Sequence, residues 1–135
     1  MHVQQMISTH PHVRDDLNHA LLACIEHCFD CAQTCITCAD ACLAEEELDD
    51  LRQCIRLNLD CADICEATGA MASRRTGSNH LVLSQAIETC RLACEICERE
   101  CRSHASNHEH CKICAVACRA CKDACEAALA SLSVS

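Results

Sequence analysis

The chain has 135 residues, 18 of them cysteine, with one aromatic side chain (Phe29), two glycines, one proline (Pro11) and a net charge of −9. The length fits a single domain over residues 1–135, the acidic balance excludes a nucleic-acid face, and no stretch approaches the ~18 apolar residues of a membrane span. The opening "MHVQQMISTHPHVRDD" lacks a basic segment followed by an apolar run, so the expected location is cytoplasmic, where dense cysteine favours metal over a disulfide scaffold.

Few turn residues favour long helices with short links. A short helix is expected before Pro11. Asp15 or Asp16 is placed to cap a first long helix running to about Leu43. A second begins in "EEELDD", whose acids suit a helix N-terminus, and fades at "SRRTGSN" with two arginines in its last turn. Ser78 or Asn79 caps a third reaching about Ala105, and Asn107 or His108 begins a fourth ending near Leu129. Links this short force neighbours antiparallel. The expected fold is all-α, an up-down antiparallel four-helix bundle with a short extra N-terminal helix.

Each long helix carries a stripe of sulfur. The first holds Cys24, Cys28, Cys31, Cys35, Cys38 and Cys42; the second Cys54, Cys61 and Cys65. The third holds Cys90, Cys94, Cys97 and Cys101, and the fourth Cys111, Cys114, Cys118, Cys121 and Cys125. Steps of three and four mark the inward seam of a bundle helix. The one gap, between Cys54 and Cys61, is filled in register by Asn58. Beside the stripes run Ile25, Phe29, Ala32, Ile36, Ala39 and Leu43 on the first helix, and Ile113, Ala117, Ala120 and Ala124 on the fourth. These flanks would seal helix against helix, or against another subunit.

Eighteen thiols are too many and too regular to serve only as small apolar filler, which would leave the interior under-packed. Disulfides within a stripe are disfavoured, because Cβ atoms three or four residues apart lie about 5–6 Å apart and a disulfide wants ~3.8 Å. An ion held in line between two sulfurs needs them about 4.5 Å apart, by analogy with zinc–thiolate bonds. The i, i+4 pairs can reach that span: Cys24/Cys28, Cys31/Cys35, Cys38/Cys42, Cys61/Cys65, Cys90/Cys94, Cys97/Cys101, Cys114/Cys118 and Cys121/Cys125.

Soft thiolates select Cu(I), zinc or iron–sulfur clusters, and charge separates these. One Cu(I) replacing one thiol proton leaves a buried interior neutral at any loading. A zinc ion on four separate thiolates leaves excess negative charge with no buried lysine or arginine to offset it. The loop spacing of iron–sulfur ligation is missing. Bridging thiolates give a capacity of about one Cu(I) per cysteine, many ions per chain.

The two ends of the stripes differ. Leu17, Leu21, Ala72, Leu83, Ile87, Ala128 and Leu132, with Met71 near, gather at one end as an apolar plug. The other gathers Cys42, Cys54 and the acids Glu45 to Glu47, and there the third stripe runs on into His104 and His108, with His110 beside Cys111. Imidazole binds Cu(I) less tightly than thiolate, which suits a mouth. Asn58 reads equally as a weak oxygen ligand or a core amide. The other six histidines are expected in solvent. No nucleophile elbow, phosphate loop or distinct cysteine–base pair favours catalysis, so the chain is read as a binder, not an enzyme.

The motifs "CFDCAQTCITCADAC", "CIRLNLDCADIC" and "HASNHEHCKIC" resemble the bacterial cytosolic copper storage proteins, a cysteine-rich four-helix-bundle family, and the resemblance runs the whole length. It implies a homotetramer that stores and detoxifies Cu(I), with the 18 cysteines as ligands and Asn58, His104, His108 and His110 near the open end. Exported members of the wider family carry a leader and methionines around the mouth. With only Met1, Met6 and Met71, this chain is similar to the cytosolic branch. Delivery by a copper chaperone or small thiols is expected. The alternatives are a thiol redox protein cycling disulfides and a zinc or mixed-metal sink.

Overall fold

Four helices of similar length carry the sulfur stripes, and a short one precedes them. In the computed structural model, which describes residues 1–14 and 16–133, α1 is Val3–Ser8, α2 His19–Leu43, α3 Leu48–Ser73, α4 His80–Ser103 and α5 Glu109–Ser133. The described chain is helical with short links. At 1.5 Å per residue the long helices each span about 38 Å. α2 packs on α3 and α5, and α4 packs on the same two, so the four form a square in which chain neighbours run antiparallel. α1 lies against α2.

The helix starts differ in detail from the sequence reading. α2 begins after Asn18, whose Oδ1 accepts from the Leu21 N–H at 3.0 Å, an N-cap in extended backbone. The Asn18 Nδ2 also donates to Ser131 Oγ at 3.1 Å, tying the start of α2 to the end of α5. Asp16 instead donates its N–H to the Val13 carbonyl in the preceding turn, and Asp15 lies outside the described residues. α3 stops at Ser73 with Arg74 extended, so both arginines follow the helix. Gly77, at φ +72°, turns the chain into α4. Asn79 precedes α4 without a side-chain cap bond. α4 ends two residues short of Ala105, and α5 runs four past Leu129.

Sulfur occupies the bundle axis. All 18 cysteines are buried, none more than 2% exposed, while the only buried polar or charged residues among those described are Asn58, Thr68 and Glu98. Glu98 faces the α4–α5 seam, where its carboxylate pairs with Arg102 at 2.6 Å and Arg119 at 3.7 Å; Lys122 reaches Glu95 at 3.8 Å nearby. At the plug, Leu21, Leu22, Ala72, Ile87 and Ala128 are buried, and Leu17, Leu83, Leu129 and Leu132 pack partly buried beside them. Ile7 of α1 and Val13 add to that end.

The apolar flanks divide. Ile25, Ala32 and Ala39 are buried, whereas Ile36, Leu43 and Ile113 are exposed. Only part of each flank therefore seals helix to helix. Phe29 sits over Gly69: a Cβ there would lie 3.1 Å from the ring atoms Cε2 and Cζ. Glycine allows α2 and α3 to close around the only aromatic ring.

Candidate metal centre

Inward-facing thiols from four helices meet in one continuous column. Every cysteine has another cysteine sulfur within 4.0 Å, and several of the shortest contacts cross between helices: Cys65–Cys90 at 3.6 Å, Cys35–Cys118 and Cys65–Cys94 at 3.7 Å, and Cys54–Cys101 at 3.8 Å. Within helices, Cys31–Cys35 lies at 3.8 Å, Cys61–Cys65 and Cys97–Cys101 at 3.9 Å, and Cys24–Cys28 at 4.0 Å. All are free thiols, far beyond the S–S bond length of ~2.05 Å.

The sulfurs form overlapping sets of four, each set lying within 4.8 Å throughout. From the plug outward these include Cys28, Cys90, Cys121 and Cys125; Cys31, Cys65, Cys94 and Cys121; Cys31, Cys35, Cys61 and Cys118; Cys35, Cys97, Cys114 and Cys118; and Cys38, Cys42, Cys54 and Cys111. Shared members join the first four of these sets into a chain along the axis.

These spacings differ from the in-line expectation. With bonds of about 2.3 Å, two in-line sulfurs stand ~4.6 Å apart, three trigonal ones ~4.0 Å and four tetrahedral ones ~3.8 Å. The column as it stands suits three- or four-sulfur sharing. In-line binding needs the pairs to open by about 0.6–1.0 Å. The cross-helix contacts were hidden from the sequence because the relative register of separate helices leaves no local trace.

Asn58 fills the gap in the α3 stripe and is fully buried. Its Oδ1 accepts from Cys97 and Cys114 at 3.1 Å and from Cys101 at 3.5 Å, and its Nδ2 donates to Cys54 at 3.5 Å. The amide thus bridges the deep sulfurs and those near the mouth. A thiolate with S–H donors around it is stabilised, while its neighbours hold their protons more firmly. Hydrogen bonds from Cys101 and Cys38 outweigh burial and lower the Cys54 thiol to about 3. Bonds from Cys125 and Cys28 lower Cys24 to about 4. Cys42 is raised to about 11, by burial first and then by the charge of Cys54.

The histidines form a collar at the open end. His104 follows α4 as its C-cap, and its Nε2 meets Glu100 Oε2 at 2.8 Å. His108 Nδ1 and His110 Nε2 both meet the Glu45 carboxylate, at 3.4 and 3.3 Å, with the two rings 5.5 Å apart. Of the three, only His110 reaches thiols among the described residues: its Nδ1 stands 3.5 Å from Cys38 Sγ and 3.6 Å from Cys111 Sγ. Sequence reasoning put Glu45 at this end but missed its grip on two imidazoles, since a loop acid carries no periodic signal. Of the other six histidines, His10 and His27 are half-buried and the rest exposed.

The family model described as copper storage protein (Csp) matches residues 17–130. The copper storage protein Ccsp of Streptomyces lividans, described as cytosolic and solved with 10 copper equivalents, superposes with a TM-score of 0.90 at 45% identity, covering 95% of this chain and 98% of that one. The Cu(I)-bound copper storage protein BsCsp3 superposes with a TM-score of 0.67 at 38% identity, covering 77% and 92%. An uncharacterized cysteine-rich protein of Bacillus subtilis, YhjQ, is 38% identical over 103 residues, 76% of this chain and 90% of its own.

Proposed function

The chain belongs to the copper storage protein family, and from that premise we propose that it is a cytosolic store holding many Cu(I) ions on the thiolates of its bundle axis. One observation carries this reading: 18 buried thiols run continuously along the axis, and no lysine or arginine is among the buried residues described there. Each Cu(I) either replaces one thiol proton or offsets one thiolate already ionised, so loading proceeds without building up buried charge.

The 18 cysteines are the ligands of this store. His104, His108 and His110 form its mouth, with Asn58 an oxygen donor to ions nearby. The opposite end is sealed by the leucine and isoleucine plug, so ions enter at the collar and move inward by thiolate exchange. The chain works as one domain over residues 1–135 and assembles as a homotetramer. Copper arrives on a chaperone or a small thiol. The role is storage and detoxification, without catalysis.

Anaerobic titration with Cu(I) against a chromogenic chelator tests the reading. With bridging thiolates, no free copper appears until more than about ten ions per chain are bound; a plateau at two or three refutes the store. The close four-sulfur sets also fit tetrahedral zinc, the feature that favours a zinc sink as second reading. Limiting copper in excess zinc decides: Cu(I) fills the column in a copper store, and zinc keeps its place in a zinc sink. A redox protein would instead form specific disulfides on mild oxidation and reduce a disulfide substrate. Replacing both His104 and His108 by alanine should slow uptake while leaving capacity unchanged.

A further inference from the structure

Between α2 and α5, beside the column, lies a groove of about 220 Å³ lined by Gln33, Thr34, Thr37, Cys38, His110 and Ile113. It opens on the flank of the bundle, and a thiol and an imidazole stand on its wall. Cys38, at 2%, is the most exposed of the 18 cysteines. A three-coordinate ion bonded to one nitrogen at ~2.0 Å and two sulfurs at ~2.3 Å needs the sulfurs ~4.0 Å apart and each ~3.7 Å from the nitrogen. His110 Nδ1, Cys38 Sγ and Cys111 Sγ stand at 3.5, 3.6 and 4.0 Å from one another. Glu45, 3.3 Å from His110 Nε2, favours the tautomer with its proton on Nε2 and leaves the Nδ1 lone pair facing the sulfurs.

We propose that this groove is a lateral loading port, through which a Cu(I) complex of a small-molecule thiol delivers its ion to His110, Cys38 and Cys111 without passing the end collar. The inference rests on the storage reading above and adds a second route to it. His110 Nδ1 bonds to the incoming ion first. Cys38 Sγ then bonds to it as the carrier's sulfur–copper bond breaks, and the Cys38 proton leaves on the carrier as free thiol. Copper stays Cu(I) throughout, so no oxidant or reductant takes part. From Cys38 and Cys111 the ion reaches Cys42 and Cys54, which share their set.

The test supplies Cu(I) as its glutathione complex to anaerobic apo-protein and follows thiolate–copper absorption by stopped flow. Thr37 is exposed on α2, and Thr37→Trp fills the groove without altering a thiol or an imidazole. The expected result is an initial rate lowered about threefold, equivalent to ~0.65 kcal/mol of added barrier, with final capacity unchanged and the remaining uptake, through the collar, slowed further when His104→Ala and His108→Ala are added. Loading of Thr37→Trp at the unaltered rate overturns the port alone, whereas failure of the unaltered chain to take up copper overturns the storage reading.

Discussion

Asn58 and Cys114 lie 56 residues apart in the chain, and the Cys114 thiol donates to the Asn58 Oδ1 at 3.1 Å. Three further thiols share the same amide, so a single polar side chain organises four sulfurs from three helices. Replacing Asn58 by cysteine completes the α3 stripe but removes this organiser. Asn58→Cys is expected to bind about one more Cu(I) per chain while its apo form loses ~1–2 kcal/mol of stability. Chelator titration and urea unfolding under reductant check the two halves separately; unchanged apo stability would show the amide to be dispensable.

Proton release on loading should be uneven. At pH 7, Cys54 and Cys24, lowered to about 3 and 4, are already thiolates, so ions binding there displace no proton from them. Cys42, raised to about 11, still holds its proton and must give it up. Ions bound at Cys54, or at Cys24 near the plug, are therefore expected to release fewer protons than ions bound at Cys42. Lowering the pH from 7 to 5 should leave Cys54 ionised and weaken binding that displaces protons by about tenfold per pH unit per proton. A weakly buffered titration with an indicator dye measures this; one proton per ion from the first addition would contradict the assignment.

Gly69→Ala sets two effects against each other. Alanine is the better helix former by ~1 kcal/mol, but its Cβ would lie 3.1 Å from the Phe29 ring and 3.3 Å from Cys28 Cβ. Overpacking of this kind costs about 1–3 kcal/mol, so net destabilisation of the apo-protein is expected. Adding Phe29→Leu should relieve most of it. Urea midpoints of the single and double variants decide.

Glu98 ties α4 to α5 through Arg119 and also holds Arg102. Glu98→Ala is expected to cost about 1 kcal/mol, against less than ~0.5 kcal/mol for Asp49→Ala, whose pair with Arg52 is almost wholly in solvent. Equal losses in thermal unfolding would mean that the seam contributes nothing beyond an ordinary surface pair.

Much of this molecule was legible because cysteine at steps of three and four has one geometric solution, an inward helix face. The stripes, the vacancy filled by Asn58 and the plug of Leu21 and Ile87 all follow from that period. Features made by contacts distant in sequence were not legible. Asp16 and Asn18 are equally good N-cap residues by type, and Asn18, which caps α2, has the additional partner Ser131 on the last helix. Ile36 and Ile113 lie on apolar flanks, yet the packing of neighbouring helices leaves them exposed. The Glu45 clasp on His108 and His110 joins a loop to a helix 65 residues away without any repeating pattern.

A column of small thiols in place of branched and aromatic side chains also bears on how long the molecule lasts. Empty, the bundle lacks much of the dispersion contact that holds ordinary interiors rigid; filled, it is cross-braced by metal–sulfur bonds, and tight binding to the folded form alone raises its stability with each ion held. Proteases that sample transient openings would then clear vacant copies faster than laden ones, so that abundance itself tracks the cell's supply without a dedicated sensor.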